Sequence, residues 1–390
     1  MPTPKVLHVI TGTSIGGAEM MLFRYLRAMG PAKDRHRVVS MMPPGPVAER
    51  IAQLGVRVDS LHVDVVWNIA GGVIRLQRLI DRLEPCVVQG WMYHGSLLAS
   101  LAVRLARREE VGLVWAIHHS LSEPRREKRA TRAVLHALCR LGGRTDVITY
   151  CARQACQQHV AFGFPADRNQ VVPNALDLSE FAPDPLARSR LQAAAGIPRG
   201  RRIIGTIARS HPMKDHAAFV AALACLLREG HDVQGVLIGA GQPDGPAVQA
   251  ARAAGIADRI VALPARDDIA ALVPGLDAYL LSSAWGEALP VAVAEAMAAG
   301  VPAVVTDVGD SGWLVQDCGE SCPPRRPDLM AKGLARILAL SPDDRCALGL
   351  ACRARIEHVM SMPRYVGTYA QIHAAAMSRR SRARPVGAHA

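Results

Sequence analysis

Short, unbroken runs of Val, Ile and Leu recur along this chain, each followed by a longer stretch with helical spacing. The series fades near residue 178 and restarts near residue 202. In the first half the runs are Lys5–Ile10, Arg37–Met42, Val56–Leu61, Cys86–Trp91, Gly112–Ile117 and Val147–Tyr150. In the second they are Arg202–Ile207, Val233–Ile238, Ile260–Leu263, Ala278–Ser282 and Ala303–Thr306. A strand that is apolar on both sides needs cover on both faces, which a parallel sheet between helices provides. Helical spacing in the second half fits 215–229, 246–254, 267–273, 290–299 and 327–340, with a last helix over 363–378. The α/β pattern therefore predicts two doubly wound domains. A chain of 390 residues is also too long for one ordinary core. The expected division is 1–180, a linker over 181–201 enclosing a small helix, 202–362, the helix 363–378, and a basic tail 379–390 without fixed structure.

Composition removes several classes. Aromatic residues make up 4% of the chain, too few for a nucleic-acid binder that stacks bases, and no nucleic-acid partner is expected. No apolar run reaches membrane-spanning length, and the first residues form a short strand rather than a signal peptide, so a cytoplasmic protein is expected. Nine scattered cysteines lack the paired spacing of a zinc site and read as free thiols. The net charge is +12, and residues 104–144 hold ten basic residues against four acids, a local +6. There the basic residues stand beside Leu135, Leu138 and Leu141. That mixture suits contact with an anionic membrane surface as well as a plain solvated face.

Two carboxylates stand out against an apolar background. In Trp285–Pro302, Glu287 precedes a predicted helix and Glu295 lies within it; Pro290 fits its first position and Gly300 the position past its end. Burying a carboxylate is costly without a partner, so both acids are candidate ligand contacts. Gly16-Gly17 follows the first strand and opens a helix, where glycine admits close backbone approach and the helix end favours negative charge. His118 and His119 end a strand whose carboxyl end faces the ligand crevice of an open parallel sheet. Side chains alternate along a strand, so one histidine faces the crevice and the other packs. His119 is the one expected to face it. Arg209 and Lys214 follow the first strand of the second half, and such a pair suits two phosphates.

These landmarks, in this order, resemble the family 4 glycosyltransferases, retaining enzymes with the GT-B fold that use nucleotide sugars. The resemblance spans most of residues 5–370. It rests on Gly16-Gly17-Ala18-Glu19, Ile203–His216 and the pair Glu287…Glu295. It implies two Rossmann-like domains facing across a cleft, with the C-terminal helix crossing back to the first. The acceptor would bind the first domain and the donor nucleotide the second. It further implies that Gly16 and Gly17 approach the diphosphate or acceptor, that a histidine of the pair lies beside the transferred sugar, and that Arg209 and Lys214 hold the diphosphate. Glu295 would bind the ribose hydroxyls, Glu287 would sit by the sugar or phosphates, and Ala288, Leu289 and Pro290 would contact the sugar. Asn174-Ala175-Leu176-Asp177, Gly239-Ala240-Gly241 and Thr306–Ser311 resemble further family segments. Ala175 and Val291 depart from the usual Gly and Asn.

By the same resemblance, a sugar passes from a nucleotide sugar, UDP-linked by preference, to a hydroxyl of a saccharide or lipid-linked acceptor in surface polysaccharide assembly. Configuration is retained. The cations replace a metal, and the chain carries no Asp-x-Asp; neither metal nor cofactor is expected. The location implied is cytoplasmic, or peripheral at the inner membrane face. Two other readings share the fold: a nucleotide-sugar epimerase and a non-catalytic sugar-binding scaffold. Both fit the retained ordered set less well.

Overall fold

The structure, a computed structural model, describes residues 5–63 and 69–382. The chain divides into two compact units, one ending at Ala175 and resuming at Met362, the other spanning Leu176–Ser361.

In chain order the first unit has β1 (Val6–Ile10), α1 (Gly17–Ala28), β2 (His36–Ser40), α2 (Pro46–Gln53), β3 (Val58–Ser60), α3 (Ile69–Leu83), β4 (Val87–Trp91), α4 (Met92–Ala106), β5 (Gly112–Ile117), α5 (Arg129–Leu141), β6 (Val147–Tyr150), α6 (Arg153–Phe162) and β7 (Asn169–Val171). The strands form one parallel sheet in the order β3-β2-β1-β4-β5-β6-β7. β1, β4 and β5 are buried along their whole length, as the continuous apolar runs required.

The second unit has α7 (Ala187–Ala195), β8 (Arg202–Ile207), α8 (His216–Arg228), β9 (Val233–Ile238), α9 (Pro246–Ala253), β10 (Ile260–Leu263), α10 (Ile269–Leu272), β11 (Ala278–Leu281), α11 (Val291–Ala298), β12 (Ala303–Thr306), α12 (Ser311–Val315), β13 (Gly319–Cys322), α13 (Pro327–Ala339) and α14 (Pro342–Met360). Its sheet, again parallel, runs β10-β9-β8-β11-β12-β13.

Three expectations are sharpened. The small helix expected within 181–201 is α7, and it belongs to the second unit, where Ala187 and Leu191 are buried. Arg188 is held there by Asp277 at 2.5 Å and by the carbonyl of Gly275 at 3.0 Å. Asp277 also accepts from Arg202 and from the Ile203 amide, so one buried carboxylate anchors the helix beneath the sheet. Second, the final helix does not stop at 378. It runs as α15 (Met362–Arg382) and belongs to the first unit. Arg380 donates to Asp146 at 2.9 Å and Arg379 to the Asp146 carbonyl at 3.1 Å, so the start of the expected tail is tied down; residues 383–390 lie outside the described residues. Third, Leu135 and Leu138 of α5 are fully buried in the core and Leu141 packs against it. The apolar side of that helix faces inward and leaves Arg129 and Arg140 to the solvent side.

α15 packs as an apolar stripe, with Tyr365, Tyr369, Ile372 and Ala376 buried. Its aromatic rings lie against Tyr25 of α1, at 5.9 Å for Tyr365 and 5.4 Å for Tyr369. Beneath them runs a buried polar chain. Trp91 Nε1 donates to His8 Nδ1 at 3.1 Å, and His8 Nε2 meets His36 Nδ1 at 2.9 Å. Indole N–H only donates, so neutral His8 carries its proton on Nε2 and gives it to His36. His373 of α15 bonds Gln89 of β4 at 2.8 Å.

Candidate functional site

In the second sheet, β8 and β11 are neighbours, but the chain leaves β8 towards β9 and leaves β11 towards β12. Connections that diverge in this way open a crevice at the strands' carboxyl ends, the usual ligand position in such sheets. The two loops bordering it are stitched together. The Ala284 amide donates to the Met213 carbonyl at 2.8 Å, and Ser282 Oγ to the Lys214 carbonyl at 2.8 Å. At this seam Lys214 Nζ lies 2.6 Å from Glu287 Oε1, with 8% of the Glu287 side chain exposed. Ser283 Oγ donates to the same oxygen at 2.5 Å. The carboxylate is thus desolvated but paired and hydrogen-bonded, the condition under which a buried charge is tolerated.

The surrounding backbone explains the local glycines. Gly309 adopts φ +67°, and a Cβ there would fall 2.4 Å from the Glu287 carbonyl oxygen and 2.7 Å from that of Ala288. The Asp310 amide, next in the chain, donates to the Ala288 carbonyl at 2.8 Å. Gly309→Ala is therefore expected to push the loop after β12 off the Glu287 loop, costing about 2 kcal/mol. Urea unfolding with donor titration checks it; unchanged stability and unchanged donor affinity together would refute this role. Gly239 fits against the Ala208 carbonyl in the same manner, holding the loop after β9 to that after β8. His216, at the start of α8, is buried near Gln242, and burial first and Lys214 second pull its imidazole down to about 4.

Arg209, in the loop after β8, is exposed and makes no ion pair with another described residue. Ala288, Leu289 and Pro290 form the turn into α11. Pro290 is the residue before the helix, whose first position is Val291, one later than the sequence suggested. Glu295 sits in the middle of α11, half-buried.

In the first unit the corresponding divergence lies between β1 and β4. Gly16, extended, precedes α1 and Gly17 begins it; a Cβ on Gly17 would meet nothing within 4 Å, whereas one on Gly16 would fall 2.4 Å from the Glu19 carboxylate of the first turn. His118 and His119 follow β5 and turn to different neighbours. The His118 ring stacks on Trp91 at 5.2 Å and Nδ1 bonds Asn174 Oδ1 at 2.8 Å. Burial draws its imidazole down to about 4, against the opposing effect of Asn174. His119 is more open, with Nε2 2.9 Å from Glu127 Oε1, and stands edge-on to Tyr93. The structure thus brings Lys214 and Glu287 into contact and places Arg209 and Glu295 on adjoining segments. Gly16, Gly17, His118 and His119 stand in the other unit. Sequence reading missed Ser283, Trp91 and Glu127 as partners. Ser283, four residues before Glu287 in an apolar stretch, was the one with a local signal.

Residues 15–180 match the family profile described as Glycosyltransferase Family 4, and residues 201–339 that described as Glycosyl transferases group 1. The chain is a family 4 glycosyltransferase of the GT-B fold. It is 28% identical over 316 residues to EpsF of Bacillus subtilis, itself named only as a candidate glycosyltransferase, across 78% of this chain and 79% of that one. A GDP-mannose-dependent alpha-(1-6)-phosphatidylinositol monomannoside mannosyltransferase of Mycobacterium tuberculosis is 27% identical over 290 residues, 72% of this chain and 73% of the relative. HepE of Anabaena, solved in complex with UDP, superposes with a TM-score of 0.81 at 19% identity, covering 95% of this glycosyltransferase and all of that chain. Among the glycosyltransferase's described residues, no helix is long and apolar enough to cross a membrane.

Proposed function

We propose that this glycosyltransferase moves a sugar from a nucleotide sugar, UDP-linked by preference, to a hydroxyl of a saccharide or lipid-linked acceptor in surface polysaccharide or glycolipid assembly, with retention and without a metal. The observation that carries the reading is the buried Lys214–Glu287–Ser283 cluster at the divergence of β8 and β11. Bond breaking between the sugar and the diphosphate builds negative charge on the leaving phosphate. Lys214 and Arg209 are the cations beside that position, and fixed opposing charge there is the main source of acceleration. The acceptor oxygen attacks on the face the phosphate leaves, and the phosphate takes its proton. Glu295 accepts from the ribose hydroxyls, and Ala288, Leu289 and Pro290 border the sugar. Gly16 and Gly17 offer the start of α1 to the diphosphate or acceptor.

Of the two histidines, the proposal gives the sugar contact to His118. Its ring is fixed by Trp91 and Asn174, and Nδ1–H is committed to Asn174, which leaves Nε2 to accept a sugar hydroxyl. His119 Nε2 is already engaged by Glu127. His118→Ala is expected to lower kcat/KM by roughly 100-fold and His119→Ala by less than about tenfold, in initial-rate measurements. The reverse order would return the role to His119.

The donor class is tested by thermal shift with UDP, GDP, ADP and CMP, with and without EDTA, on the wild type and Glu295→Ala. UDP should raise Tm by mass action in EDTA as well, and the variant should lose most of the rise. A rise with GDP alone would align the donor with that named for the mycobacterial relative. No rise with any nucleotide would favour the scaffold reading.

A further inference from the structure

A cluster of arginines on the first unit lies at the amino end of β5, away from the carboxyl-end loops. Where α4 ends and β5 begins, an open pocket of about 520 Å³ is lined by Arg104, Arg107, Arg108, Arg144 and Arg380, with Glu109. Two of these arginines are already engaged. Arg108 pairs with Glu84 at 3.0 Å and with Asp81 and Glu110 at 3.6 Å each. Arg380 is held by Asp146, a buried carboxylate that also takes the Leu113 amide at 2.8 Å. Arg104, Arg107 and Arg144 are exposed and pair with no other described residue. Arg107 closes α4 in the left-handed region, at φ +52°, a conformation costly for a residue with a side chain. Arg380 also donates to the Arg144 carbonyl, so α15 fixes the segment that carries the third unpaired cation.

Three exposed guanidiniums around one pocket, facing one carboxylate, leave several donors without a partner among the described residues. Each presents a planar fork that matches phosphate oxygens better than a single point charge would. We propose that this pocket is a second anion site, distinct from the donor cluster of the other unit, and that it takes a diphosphate group. More than one unpaired cation suits a group with several charges over a lone carboxylate. The diphosphate comes either from a molecule free in solution or from a lipid headgroup.

Inorganic pyrophosphate titrated calorimetrically into the full chain distinguishes this site from the donor site. The wild type should show two classes of binding. Arg104→Ala/Arg107→Ala/Arg144→Ala should weaken one class roughly tenfold or more, and the corresponding triple Lys variant should weaken it less. These residues are exposed, so the variant should unfold at the wild-type temperature. Lys214→Met/Glu295→Ala should remove only the other class. If the donor reading fails, that class is missing while the arginine-dependent class remains. Flotation with vesicles of phosphatidylcholine, with and without diacylglycerol pyrophosphate and with phosphatidic acid as the monophosphate control, separates the sources. Arginine-dependent flotation that pyrophosphate competes away assigns a lipid headgroup. Pyrophosphate binding without flotation assigns a soluble diphosphate. Pyrophosphate binding that the triple Ala variant leaves unchanged would overturn the proposal.

Discussion

Lys214→Met is expected to lower kcat roughly 100- to 1000-fold, the size of effect seen when one preorganised charge at a leaving group is removed. The same change should destabilise the second unit by about 3 kcal/mol, because it strands Glu287 as a buried, unpaired carboxylate. The two effects separate in the double variant Lys214→Met/Glu287→Gln. Neutralising the acid should restore most of the stability, since Ser283 still hydrogen-bonds the amide, while turnover stays low. Chemical unfolding and initial rates on the three proteins decide it, with the nucleotide sugar that stabilises the wild type as donor. Recovered turnover in the double variant would mean that Lys214 acts only by neutralising Glu287. Turnover within about fivefold of wild type in Lys214→Met would remove the lysine from the chemistry altogether.

Acidification from pH 6.5 to 4 is expected to loosen the first unit. Burial brings the His36 imidazole down to about 4 and that of His373 to about 3, and lowers His8 well below its ordinary 6.5. A neutral folded histidine with a depressed pKa is at full advantage above 6.5. As the pH falls, the unfolded chain takes up protons that the folded one refuses, so stability drops until the folded pKa is reached. For His36 alone that is about 3 kcal/mol at pH 4. The neighbours of these rings are one another, tyrosines, Trp91 and Gln89, none of which carries a negative charge. His373→Leu should flatten the decline. Urea midpoints by circular dichroism at pH 7, 5.5 and 4 would test this; a wild type with one midpoint across that range would refute it.

The buried strands were legible because a strand covered on both faces has a sequence that is apolar at every position. β7 and β13 were missed because they are short edge strands with polar residues, Asn169-Gln170-Val171 and Gly319-Glu320-Ser321-Cys322. α14 was missed for another reason. Its buried residues, Gly349, Cys352, Ile356 and Met360, are spaced helically but include few large apolar side chains, and Leu350 points to solvent. In the candidate site, residue types and order were readable, because charged side chains in apolar stretches need a reason. Pairings were not. Lys214 and Glu287 are far apart in the chain, and only the shared position of β8 and β11 in the sheet makes them neighbours. The basic stretch 104–144 left two readings open for the same reason: the sequence displays both sides of α5 at once, whereas the fold turns Leu135 and Leu138 to the core.

The placement of α15 has a consequence for how the protein is made. The second unit is one continuous segment, whereas the first is complete only when residues beyond Met362 are added. On a ribosome, domains ordinarily finish in the order of synthesis. Here the later unit can close first, while the earlier sheet waits with the layer of Tyr25, Trp91 and Gln89 uncovered by Tyr365, Tyr369 and His373. Between the synthesis of Trp91 and that of His373 the nascent chain therefore carries an unfinished aromatic surface, which α15 then covers.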